Sequence, residues 1–130
     1  MPTVSFVGAT YTSQYLVFDA YETADRLGQP LQSMSEADKA IFLKMSPKSL
    51  IPAIDWGGLT TSGASYDGSF LAGMSDAQLT ALLKAQGDSR TQAILGSANL
   101  ATAQLCRLTG GKPGDVCGAA GVKAADALLK

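Results

Sequence analysis

Apolar and polar positions change rhythm several times along the chain, and the sharpest change centres on residues 49–66. Ile51, Ala53 and Ile54 favour extended backbone, and Pro52, with no N–H to give a ladder, belongs at a strand start. Gly57-Gly58 supply the positive φ values of a tight turn, after which the chain returns as a second strand. The pattern predicts a proline-led hairpin around which the other elements pack. Upstream, residues 3–8 alternate small or polar with apolar types, and residues 13–21 are rich in aromatic and β-branched types. Both read as strands.

Helical spacing takes over elsewhere. Residues 22–34, with Gly28-Gln29-Pro30, read as a loop. A helix then starts at Ser35, with Asp38 as its capping partner. Its expected buried stripe is Ala37, Ile41 and Met45, with Phe42 beside it, and Ser46-Pro47 ends it. Residues 65–68 form a turn. Ser75 caps the next helix, which carries Gln78, Leu79, Leu82 and Leu83 and stops at Gly87. The longest helix begins at Asp88 or Ser89 and runs to Leu108, closed by Gly110-Gly111. Its recurrent positions are Ile94, Ala98, Ala101, Leu105 and Leu108. Its small residues, among them Gly96, Ala98, Ala101 and Ala103, let another element approach closely. Lys112-Pro113-Gly114 is a turn, and residues 122–129 make a short last helix. The sum is an α/β chain of the α+β kind, one domain over residues 1–130. It has a small, mostly antiparallel sheet, with a central hairpin packed by about four helices.

Composition narrows the chemistry. With 130 residues, 46% hydrophobic and 16% charged, the chain is long enough for one domain with a core. A net charge of −1 without a basic block argues against a nucleic-acid partner. No apolar run approaches the ~20 residues of a membrane-spanning helix. The start Met1-Pro2-Thr3 shows no signal-peptide pattern. Histidine is absent, which excludes a Ser-His-Asp triad, a zincin site and a His/Cys zinc site. Two cysteines alone do not make a structural zinc site, so no metal or cofactor is expected. Ser62-Gly63-Ala64-Ser65 lacks the second glycine of a nucleophile elbow, and no histidine exists to activate a serine. Glu36 and Asp38, two apart on a helix, do not face each other and read as first-turn charges. Tyr11, Tyr15 and Tyr21 read as cover for a sheet rather than a ligand-stacking surface.

Cys106 and Cys117 are the chemically distinctive pair. Ten residues, including Gly110, Gly111, Pro113 and Gly114, separate them, which is wrong for a Cys-x-x-Cys redox motif. The spacing suits a bridge across a glycine-rich reversal, worth roughly 2–3 kcal/mol if unstrained and implying an oxidising compartment. Two separate buried thiols are the alternative. A catalytic dithiol is the least supported, with only Arg107 and Lys112 as nearby cations to lower a thiol pKa.

Four blocks of the chain, residues 4–16, 51–55, 62–67 and 106–117, resemble a prokaryotic thioredoxin-like family catalogued as domain-of-unknown-function family 929. The likeness keeps the order of the blocks over nearly the whole chain. Its most specific part is Leu108-Thr109-Gly110-Gly111-Lys112-Pro113 between the two cysteines. The resemblance implies that Ile51-Pro52 corresponds to the proline, usually cis, that faces the active-site dithiol in thioredoxin-like folds. It also implies that Cys106 and Cys117 are a family feature, most simply a disulfide. The family's Cys-x-x-Cys segment lies upstream of the block that here begins at Thr3, and this sequence has none, so no catalytic cysteine carries over.

The leading expectation is therefore a redox-inactive, partial thioredoxin-like module. It would bind through a groove at Ile51 and Pro52, its partner being a second copy of itself or an extended polypeptide. The competing expectation is a thiol–disulfide oxidoreductase, with its Cys-x-x-Cys upstream or with Cys106 and Cys117 cycling. A third is a secreted binding domain with a disulfide staple. The cysteine pair and the resemblance favour an extracytoplasmic setting.

Overall fold

The computed structural model describes residues 5–129. The described residues form a mixed α+β protein with five α-helices and one small two-stranded antiparallel sheet. It divides into two compact units, Met1–Gly63 and Ala64–Lys130.

The first unit holds the hairpin. Strands β1 (Ala53–Asp55) and β2 (Thr60–Ser62) pair Ala53 with Ser62, Ile54 with Thr61 and Asp55 with Thr60. The turn forms as the two glycines dictate, with φ of 80° at Gly57 and 105° at Gly58, values that side chains resist. The Trp56 N–H donates to the Leu59 carbonyl at 2.8 Å, and the Gly58 N–H to Asp55 Oδ1 at 2.7 Å. Trp56 Nε1 donates across the hairpin to Thr61 Oγ1 at 2.9 Å. Helix α1 (Glu36–Met45) lies against both strands. Ser35 caps it by accepting the Asp38 N–H, and its hydroxyl donates back to Asp38 Oδ2 at 2.6 Å.

Two expectations fail here. Residues 13–21 form no strand, and the described part of 3–8 is a turn; Thr3 and Val4 lie outside the described residues. Alternation provides a face, but a strand also needs a partner backbone. These residues bond locally or to side chains instead. The Ser5 hydroxyl and Phe6 N–H donate to the Glu22 carboxylate, and the Tyr15 N–H donates to Ser13 Oγ. The loop at 22–34 contains one isolated antiparallel bridge, Ala24 with Pro30. The three tyrosines stand outside any strand, and Tyr11 packs edge-on against Phe18, ring centres 5.7 Å apart. The buried stripe of α1 is also displaced. Ala37 and Ile41 are exposed, while Asp38, Phe42 and Met45 are half-covered, because the helix meets the hairpin about one residue round from the expected face.

The second unit is organised on α3 (Ser89–Leu108), against which α2 (Asp76–Leu83) and α5 (Ala120–Asp126) pack. A 3-10 turn, Gly68–Leu71, precedes α2 where the sequence reads only as a turn; Asp67 caps it by accepting the Ser69 N–H at 2.9 Å. Ser75 and Gln78 form a reciprocal capping box on α2, and Asp88 caps α3 through the Arg90 N–H. At the other end of α3 the Gly111 N–H bonds the Cys106 carbonyl at 2.8 Å and the Gly110 N–H bonds that of Arg107. Gly110 has φ 63°, the Schellman arrangement that ends helices at glycine. Helix α4 (Gly114–Cys117) is a single turn that the sequence pattern did not mark.

The core of this unit is Ala103, Val122 and Ala125, flanked by Leu100, Cys106 and Leu129. Thr91, Ala103 and Gln104 are the buried positions of α3, whereas Ala98 and Leu108 of the expected stripe are exposed. Ile94, Ala101 and Leu105 of that stripe are half-buried, so hydrophobic spacing places the inward face only in part. Thr91 is accommodated there because its hydroxyl donates to the Leu82 carbonyl at 2.5 Å.

Candidate functional site

The residues singled out by the sequence fall at two places, one in each unit. In the first unit Ile51 and Pro52 lead into β1, and the peptide bond between them is cis. Both are exposed, Ile51 to 76% of its surface. The Pro52 carbonyl accepts the Gly63 N–H at 2.9 Å, extending the hairpin by one rung. Gly63 has φ 83° and lies beside Leu50, whose side chain would meet any Cβ added there at 3.7 Å.

The residue that positions this segment is Ser46. It is the C-cap of α1, its N–H bonding the Phe42 carbonyl at 2.8 Å. Its hydroxyl accepts the Leu50 N–H at 2.7 Å and donates to the Leu50 carbonyl at 3.0 Å. Its own carbonyl accepts the Ser49 N–H at 2.8 Å. Ser49 takes the left-handed φ of 53° that this loop demands. With 1% of its surface exposed, Ser46 is the most buried of the described residues of the unit. The sequence marks it only as a helix end. A serine followed by proline at a C-terminus is the one signal that points to it.

In the second unit Cys106 and Cys117 stand at disulfide-bonding distance, their Cα atoms 5.7 Å apart. Cys106 sits in the last turns of α3 against the core, and Cys117 ends α4. Arg107, a nearby cation in the sequence, is engaged elsewhere. Its Nε donates to Asp126 Oδ1 at 2.6 Å, and its NH2 group to the carbonyls of Asp126 and Leu129. A guanidinium capping the end of α5 reaches the terminal carbonyls there and ties α5 to α3.

The carboxylates are structural in the same sense. The Ser35 hydroxyl holds Asp38 below the usual carboxylate range, and that carboxylate in turn raises the neighbouring Tyr21 hydroxyl. The Ser69 N–H and hydroxyl lower Asp67. Among the described residues no group of three or more His, Cys, Asp or Glu side chains is arranged to hold a metal ion. No described helix is long and apolar enough to cross a membrane. An open groove runs between the end of α2 and the first half of α3, lined by Leu83, Gln86, Thr91, Leu95 and Asn99. Neither cysteine nor Ile51 or Pro52 lines it.

Neither a family model, nor a curated protein, nor a solved structure matches the chain.

Proposed function

We propose that this chain is a non-catalytic binding module of thioredoxin-like lineage, engaging a second copy of itself or an extended polypeptide through the surface around Ile51 and Pro52. One observation carries the reading. Among the described residues of the first unit no apolar side chain is buried, while Ile41, Leu43, Leu50 and Ile51 are each about half exposed or more. An unsatisfied apolar surface of this kind marks an interaction site or an aggregation liability. The hairpin adds open strand edges, whose free backbone groups suit strand addition. The thioredoxin-like kinship rests on the sequence blocks, since the sheet has two strands.

The non-catalytic part is supported by the commitment of Arg107 to α5 rather than to a sulfur.

Sedimentation of the wild-type chain across a range of concentrations, beside Ile51→Glu, tests the reading, with an apolar dye as second readout. Wild type should associate with rising concentration, or bind dye as a monomer, and Ile51→Glu should weaken both. A monomer that binds no dye would discard the proposal. Turnover of a disulfide substrate by wild type and not by Cys106→Ser would replace it with an oxidoreductase.

A further inference from the structure

We infer that the Cys106–Cys117 bridge is a reducible latch: opening it frees the arm around α4, exposing the Cys117 thiol, while Cys106 stays seated on the core. The two sulfurs are held very differently. Cys106 is part of a twenty-residue helix and packs against Ala103, Val122 and Ala125. Its carbonyl is fixed by the Gly111 N–H at 2.8 Å. Helix α4, which carries Cys117, has four residues, no side-chain cap and no buried residue. Isolated helices much shorter than about 12 residues do not persist in water, so α4 depends on its attachment.

The arm's own hydrogen bonds give it shape without fixing its place. The Cys117 N–H bonds the Pro113 carbonyl, the Gly118 N–H that of Gly114 and the Ala119 N–H that of Val116, all within residues 113–119. Among the described residues, 113–118 make no hydrogen bond outside that span. The bridge is thus what fixes α4 onto the end of α3. By contrast, α5 is held independently, through Val122, Ala125 and the Arg107 fork. Loss of the bridge loosens one segment and leaves its neighbours in place, a local opening rather than unfolding.

The reductant is a dithiol. One of its thiolates attacks the bridge to form a mixed disulfide, and its second sulfur then displaces the remaining cysteine. The S–S bond between Cys106 and Cys117 breaks, both leave as S–H, and the dithiol ends as its own disulfide. The chain turns over no substrate in this step. It changes shape.

The test is limited reduction of the full chain with dithiothreitol, then pulse alkylation and amide hydrogen exchange read by peptide mass. Cys117 should alkylate about tenfold faster than Cys106, because the sulfur seated on the core is reached less often. Exchange protection should fall over residues 113–119 and persist over 100–106 and 122–126. Cys117→Ser, which lacks the bridge without reductant, should reproduce that exchange pattern. Equal alkylation rates, unchanged exchange at 113–119, or loss of protection across α3 and α5 would each overturn the latch. So would a Cys117→Ser chain that fails to fold.

Discussion

Replacing Ser46 with alanine removes one oxygen and, on the geometry here, unfastens the approach to the hairpin. The hydroxyl makes two hydrogen bonds to the Leu50 backbone, at 2.7 and 3.0 Å, from a side chain with 1% exposure. Each such bond contributes about 1 kcal/mol net, and a buried partner left unpaired costs about 1–3 kcal/mol. Leu50 is half exposed, so water reaches part of its backbone and the lower end applies. The expected loss is about 2 kcal/mol, which at a urea slope of about 1.5 kcal/mol per molar lowers the midpoint by about 1.3 M. Trp56, the chain's one tryptophan, lies in the adjoining turn, so its fluorescence reports the first unit directly. Lys48→Ala, an exposed change in the same loop, should leave the midpoint in place. If Ser46→Ala and Lys48→Ala unfold at the same urea concentration, Ser46 does not hold the segment and the reasoning is wrong.

In the second unit, Thr91→Val should cost about 1–2 kcal/mol by thermal unfolding, because a bond to the Leu82 carbonyl is lost and a methyl is pressed onto that oxygen; an unchanged midpoint would refute this. Asp88 supplies a pH prediction. Hydrogen bonds from the Arg90 side chain, then from its backbone N–H, hold the Asp88 carboxyl down at about 2. Because the folded value lies below the ordinary one, the stabilisation is present above about pH 4 and lost as pH falls toward 2. Asp88→Asn keeps a capping oxygen but does not titrate. The difference in thermal midpoint between the two proteins should therefore shrink across that window, and a constant difference would refute the assignment.

Local chemistry was legible in the sequence. Ser35, Ser75 and Asp88 each start a helix as expected, because a cap involves only the residues three or fewer places on. Gly57-Gly58 turn the hairpin for the same reason. What depends on distant partners was not legible. Residues 13–21 have strand-like composition and find no ladder, since nothing in their own pattern names a neighbour. The inward face of α3 is set by Ala103 meeting Val122 and Ala125 of α5 and by the Thr91 bond to Leu82, neither of which hydrophobic periodicity weighs. Arg107 reads as a charge near the cysteines, yet its partners lie 19 and 22 residues further on. Ser46 was hidden because its importance comes from burial rather than residue type.

The fork of Arg107 has a consequence for ionic strength. Its contact with the Asp126 carboxylate joins two side chains about half exposed, and such pairs fade as salt shortens the screening length to about 10 Å at 0.1 M and less beyond. Its contacts with the Asp126 and Leu129 carbonyls are hydrogen bonds to neutral dipoles, which added ions weaken far less. One side chain thus fastens α5 to α3 by two mechanisms with different salt sensitivity. In brine the junction keeps its carbonyl contacts after the carboxylate contact has faded.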